Sequence, residues 1–113
     1  MLHLSFNCIG DKGAAELARN ESWTELEQLY LECTNIGDEG AIALGGNGSW
    51  KNLKCLVLSR NEISDNGAIG IANNISWKNL TGLRLDENKY ENKGKVEEAI
   101  YAKFGKSIQL VLE

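Results

Sequence analysis

The stretch LEQLYLECTNIGDEGAIALGGNGSWKN, Leu26–Asn52, decides how the whole chain is read, because the rest of the sequence is made of copies of it. Displaced by 27 positions, the 113-residue sequence falls onto itself again and again. Leu4, Leu31, Leu58, Leu85 and Leu112 share one phase, Ile9, Ile36 and Ile63 a second, and Gly13, Gly40, Gly67 and Gly94 a third. Trp23, Trp50 and Trp77 share a fourth, which Phe104 completes. Self-similarity at such a period means units that stack, since one short unit cannot bury its own apolar face.

Within each unit the first part reads L-x-x-L-x-L-x-x-N-x-I: Leu26, Leu29, Leu31, then Leu53, Leu56, Leu58, then Leu80, Leu83, Leu85. The L-x-L core alternates at period two, which predicts a short strand with one buried face. From Asp38 to Gly46 the period changes, and Gly40, Ala41, Leu44 and Gly45 fall on one narrow helical face. Asp11, Asp38 and Asp65 stand where a carboxylate would cap the start of its own helix. Asn20, Asn47 and Asn74 stand where the helix must stop and where Asn tolerates left-handed backbone. Asn7, Asn61 and Asn88, with Thr34 substituting once, are expected to form a polar ladder between units. Glycine costs a helix about 1 kcal/mol against alanine, so its recurrence at each helix start predicts close packing there. The Trp phase predicts a core stack, each buried ring removing roughly 150–250 Å² from water.

Stacked units of this kind put the strands into one parallel sheet and the helices into an outer layer. Strands pair at about 4.8 Å and helices pack at about 10 Å, so the stack must curve with the sheet inside. The segments LEQLYLECTNIGDEGAIAL, LKCLVLSRNEISDNGAIGI and LHLSFNCIGDKGAAEL resemble leucine-rich repeats, and at this length the ribonuclease-inhibitor-like subclass. The resemblance covers about residues 2 to 94 and departs in two ways: the unit is a uniform 27, and Trp follows Ser where the family usually has Leu. It implies an α/β fold, a right-handed, curved solenoid with a parallel inner sheet and outer helices, and it implies a protein-binding scaffold. One domain spans 1–113, with units at about 1–25, 26–52, 53–79 and 80–106 and a closing strand at 107–113. Met1 falls within a strand phase, so the first edge is expected to belong to a longer array or to be covered by another chain. KVEEAIYAKF turns Val96, Ala99, Ile100 and Phe104 onto a new stripe, which predicts a rotated terminal helix.

The net charge of −4 and the absence of any basic run argue against a nucleic-acid partner. Apolar runs are a few residues long, too short for a membrane span, and MLHLSFNC lacks the layout of a secretory signal. Three cysteines, Cys8, Cys33 and Cys55, sit at unrelated phases and read as reduced thiols filling small spaces in a cytoplasmic protein, or in one delivered to a host cytosol.

Residues between the core leucines are the ones free to bind. Among them Gln28, Tyr30, Glu32, Val57, Ser59, Arg84 and Asp86 are the expected contact set, with Tyr30 and Val57 an apolar centre and Arg84 an anchor beside it. The acidic column Glu32, Asp86 and Glu113 points to a protein partner with basic groups. His3 beside Cys33 or Cys8 has no third orienting group for nucleophilic catalysis, and no C-x-x-C pair offers a zinc site. The Asn-x-Ser/Thr sequons at Asn20, Asn47 and Asn74 arise from one repeat phase, and Gly45–Ser49 lacks the lysine of a phosphate loop. The expectation is a non-catalytic interaction module without cofactors. Alternatives are self-assembly, as a homo-oligomer joined through open strand edges, or a GTPase-activator-like domain acting through an arginine.

Overall fold

A computed structural model describes all residues from Met1 to Glu113. Its elements alternate: β1 (Leu2–His3), α1 (Gly10–Ala18), β2 (Gln28–Tyr30), α2 (Asp38–Gly45), β3 (Cys55–Val57), α3 (Asp65–Ala72), β4 (Gly82–Arg84), α4 (Lys93–Phe104) and β5 (Gln109–Val111). The strands form one parallel sheet in sequence order, β1-β2-β3-β4-β5. Every pairing is a displacement of 27: Leu2 lies against Leu29, Leu29 against Leu56, Leu56 against Leu83 and Leu83 against Leu110. Each helix touches only the helices next to it in sequence, so the molecule is a one-dimensional stack.

The core is the set of repeated leucines and isoleucines between sheet and helices. Leu29, Leu31, Ile36, Leu44, Leu53, Leu56, Leu58, Ile63, Ile71, Leu83 and Leu85 are fully buried. The narrow face expected of α2, Gly40, Ala41, Leu44 and Gly45, is buried as a whole. Trp50 and Trp77 stack with ring centroids 6.4 Å apart and planes 10° from parallel. Neither buried indole N–H has a hydrogen-bond partner within the protein, so these rings stabilise through apolar area. Trp23, at the outer end of the column, is 37% exposed.

Three polar ladders tie unit to unit. Asn61 Oδ1 accepts from Thr34 N and Ile36 N, both at 3.0 Å, while its Nδ2 donates to Leu31, Leu58 and Ser59 carbonyls. Asn88 repeats the pattern one unit on, accepting from Asn61 N and Ile63 N and donating to Leu58 O. Asn7 bonds only within its own turn. In the second ladder, Asn47 and Asn74 accept from the Ser and Trp N–H groups that follow them. Their Nδ2 groups donate to carbonyls of the preceding unit, Ala18 and Gly45 respectively. Left-handed backbone is therefore not what these asparagines provide. It falls instead at Phe6, Cys33, Arg60 and Glu87, one residue before the first ladder, and at Asn35.

The third ladder corrects the reading of the aspartates. Asp11, Asp38 and Asp65 do not cap their own helices, whose N-cap positions Ile9, Gly37 and Ser64 show no side-chain cap. Each reaches forward to the next unit. Asp11 Oδ1 accepts from Gly37 N at 2.6 Å and Gly40 N at 3.0 Å, Asp38 Oδ1 from Ser64 N and Gly67 N, and Asp65 from Glu91 N and Asn92 N. The orphan N–H groups of a helix start are satisfied from the neighbouring unit, where a negative charge also suits the helix dipole.

Close helix packing is real at Gly40, where a Cβ would stand 2.7 Å from Asp11 Oδ1 and 3.0 Å from Ala14 Cβ. At Gly94 the space is open but for Asn92. The closest approach is elsewhere, between Gly45 of α2 and the Gly70 backbone of α3, where a Cβ would lie 2.8 Å from the Gly70 carbonyl carbon. The terminal helix α4 is 12 residues long against 8 in α2 and α3, and it buries Val96 and Ile100.

Candidate interaction face on the inner sheet

Alternation along each strand sends Leu29, Leu56 and Leu83 inward and their neighbours outward, and the register aligns those neighbours into columns. The first column is Gln28, Cys55, Gly82 and Gln109, and the second is His3, Tyr30, Val57, Arg84 and Val111. Ser5, Glu32, Ser59, Asp86 and Glu113 continue the sequence phase as a third.

The expected contact residues do not all present surface. Gln28 and Arg84 are exposed, and Tyr30 and Glu32 are half-buried. Val57, Ser59 and Asp86 are buried, at 6%, 2% and 6% exposure. Val57 lies in register between the longer Tyr30 and Arg84, and Ser59 is bonded to Asp86 of the next unit. Ser59 Oγ donates to Asp86 Oδ1 at 2.6 Å, and Arg84 Nη2 donates to Asp86 Oδ2 at 3.3 Å. Burial alone would raise the Asp86 carboxyl, but the Ser59 hydroxyl, its own backbone N–H and Arg84 outweigh it and hold it below the usual range. Asp86 is thus a buried carboxylate that positions Arg84.

The accessible centre of the face is aromatic. His3 stacks on Tyr30 with centroids 4.2 Å apart and planes 10° from parallel, and Tyr30 Oη donates to Gln28 Oε1 at 3.3 Å. Beside it Gly82 withholds a side chain, and a cleft of about 380 Å³ opens, lined among others by Gln28, Lys54, Cys55, Thr81 and Gln109. Lys54 and Thr81 lie before their strands, outside the columns that alternation identifies. A second group missed by that reading is at the left-handed phase on the opposite rim. There Arg60 Nε lies 2.9 Å from Glu87 Oε2 and 3.9 Å from Glu32 Oε2.

Cys8 and Cys33 are exposed and Cys55 is half-buried, so the thiols are not filler in the core. The three arginines each lie beside a carboxylate: Arg19 by Glu16, Arg60 by Glu87 and Arg84 by Asp86. No helix is long and apolar enough to cross a membrane.

The model of the family described as Leucine Rich repeat matches residues 2–18, 24–45 and 51–72, more than half of the chain and three successive units. The chain is a leucine-rich repeat protein. The matched segments carry the strands and helices of the first three units, and the 27-residue geometry is compatible with the ribonuclease-inhibitor-like subclass. Leucine-rich repeats generally mediate protein–protein interaction. None of the curated proteins compared with this one matches it.

Proposed function

We propose that this leucine-rich repeat protein is a non-catalytic binding module that holds a protein partner on its inner sheet face. The observation that carries the reading is the second column. Leu29, Leu56 and Leu83 are the same in every unit because packing is the same, whereas His3, Tyr30, Val57, Arg84 and Val111 differ at each step. A stacked aromatic pair next to a half-exposed arginine held by a buried carboxylate is the composition of a binding hot spot. Gln28, Tyr30, Glu32 and Arg84 supply the contacts, and Val57, Ser59 and Asp86 shape and charge the floor beneath them. The net charge of −4, with Glu32 and Glu113 in one phase with the buried Asp86, favours a partner with basic groups. The module serves a larger regulatory or host-interacting protein, and its exposed free thiols suit a reducing, cytosolic setting.

The test compares partner capture by the native protein and by a Tyr30→Ala, Arg84→Ala double variant. Hot-spot truncations cost about 2 kcal/mol or more, so capture falls at least about tenfold while the melting temperature changes by a few degrees. Undiminished capture by a folded variant excludes this face. The second reading, self-assembly, is favoured by the outer edges of β1 and β5, which pair with no strand. Sedimentation over a range of concentrations separates the two, since a strict monomer excludes it.

A further inference from the structure

The edge of the molecule where helices lead back to strands carries a charge pattern that the repeat does not require. Residues 46–54, 73–81 and 103–108 hold Lys51, Lys54, Lys78, Lys103 and Lys106 and no carboxylate, in a protein of net charge −4. The matching turn of unit 1, residues 19–27, holds Glu21, Glu25 and Glu27 instead. Lys54 is paired with Glu27, but Lys51, Lys78, Lys103 and Lys106 enter no ion pair. Positive charge is thus gathered, without neutralising partners, along this edge of units 2 to 4.

A pocket of about 330 Å³ opens within this edge, between the turn of unit 3 and the end of α4. It has a cause in the sequence. Asn47 and Asn74 each draw their own turn onto the one before, as Nδ2 donates to Ala18 O and to Gly45 O. Tyr101 stands in their phase in unit 4 and has no amide to make that bond. Helix α4 also runs on to Phe104, past Ala99, the phase in which α3 ends at Ala72. The fourth turn is therefore not tied to the third, and space is left between them.

The lining decides what can fill that space. Ile75, Trp77, Leu80 and Phe104 make it apolar, while Lys78 and Lys103 bring one ammonium group from the turn and one from the helix end. Asn74 borders the pocket too, but its amide is spent. Its Nδ2 donates to Gly45 O and Asn47 O, and its Oδ1 accepts from Ser76 N and Trp77 N. The side-chain hydrogen-bonding capacity left over is donor only: the two ammonium groups, and the buried Trp77 indole N–H, which has no partner within the protein. An occupant must bring an acceptor to the lysines and an apolar body to the wall, and a cation is repelled. The volume falls within the range of about 300–1,000 Å³ typical of small-molecule sites. We infer that this pocket binds a small anion with an apolar body, a carboxylate on a short aliphatic or aromatic frame. The carboxylate sits between Lys78 and Lys103 and the frame rests on Ile75 and Phe104. Such a ligand leaves the inner sheet free.

The experiment titrates octanoate, kept below its micellar range, into the isotope-labelled protein at neutral pH and follows the Trp77 indole N–H and Phe104 amide signals by NMR. A saturable shift with a dissociation constant of about 1 mM or tighter is expected, with the Trp23 indole unmoved. Acetate lacks the body, octanol lacks the charge and octylamine has the wrong sign, so each is expected to bind at least about tenfold more weakly. Lys78→Gln and Lys103→Gln together are expected to weaken octanoate at least about tenfold. Both side chains are exposed and unpaired, so the double variant keeps its fold. Octanol, acetate or octylamine matching octanoate, an unchanged affinity in the double variant, or no saturable shift at Trp77 overturns the inference. So does capture of the protein on phosphatidylglycerol vesicles through the same two lysines with free octanoate silent, since the edge would then serve a lipid surface.

Discussion

Asp38 holds Ser64 of the following unit with both carboxylate oxygens: Oδ1 accepts from the Ser64 backbone N–H at 2.7 Å and Oδ2 from its hydroxyl at 2.6 Å. Gly67 N adds a third bond at 3.1 Å. The helix start of unit 3 is thus completed by unit 2, and the two units cannot order independently. Hydrogen bonds to a charged group contribute about 1.5–3 kcal/mol, so Asp38→Ala is expected to destabilise by about that range in urea unfolding. Asp65→Ala, whose bonds to Glu91 and Asn92 are exposed, is expected to cost less. Ser64→Ala in the Asp38→Ala background adds little, because the partner is already gone.

Helices α2 and α3 approach closely enough that Gly45 faces the Gly70 backbone with no room for a methyl group. Backbone cannot rotate aside as a side chain can. Gly45→Ala therefore costs about 1–3 kcal/mol by overpacking, despite alanine's better helix propensity. Gly48→Ala, with Ser76 Oγ the only neighbour at 3.6 Å, is the matched control and leaves the thermal midpoint nearly unchanged.

Burial pushes the Cys55 thiol above its ordinary range, and Arg84 only partly offsets it. The thiolate is the reactive form, so Cys55 is alkylated several-fold more slowly by iodoacetamide at pH 8 than the exposed Cys8 and Cys33. Mass spectrometry of the three peptides during a time course reads the order directly. Bound partner on the inner face slows Cys55 further and leaves Cys8 unaffected.

Tyr90 takes the place of the repeated isoleucine and donates its hydroxyl to Leu85 O at 2.7 Å. Burial first, and then the nearby Asp86 charge, raise its phenol far above the ordinary value of 10.0. The folded protein keeps the proton after the unfolded chain has released it. Its contribution is therefore complete below pH ~10 and is lost as pH rises beyond that, so urea midpoints fall on the alkaline side. Tyr90→Phe flattens this alkaline limb, at a cost near neutral pH of about 1 kcal/mol for the lost hydrogen bond.

The period of 27 made the architecture readable, because one displacement aligns every strand with the next and every Trp with the next. What it could not distinguish was a residue's own unit from its neighbour. Asp38 near Gly40 and Asp38 near Gly67 are the same phase, and both readings satisfy a helix start. Structure alone assigns the carboxylate to the neighbour. The inner face was legible as a direction and not as an accessibility. Alternation points Val57 and Ser59 outward, but Val57 lies in register between Tyr30 and Arg84, Ser59 bonds Asp86, and both are buried. Lys54, Thr81 and Arg60 fall outside the expected contact set because they flank the strands, where a period of two carries no information.

The central claim is that partners are read on the inner sheet and not at the turns that lead from helix back to strand. A photo-crosslinking amino acid in place of Tyr30, and in a second protein in place of the 77%-exposed Ile75, tests it most directly. Irradiation with the captured partner is predicted to give an adduct from position 30 and none from position 75. An adduct from position 75 alone, with position 30 silent in a folded protein, would contradict the account.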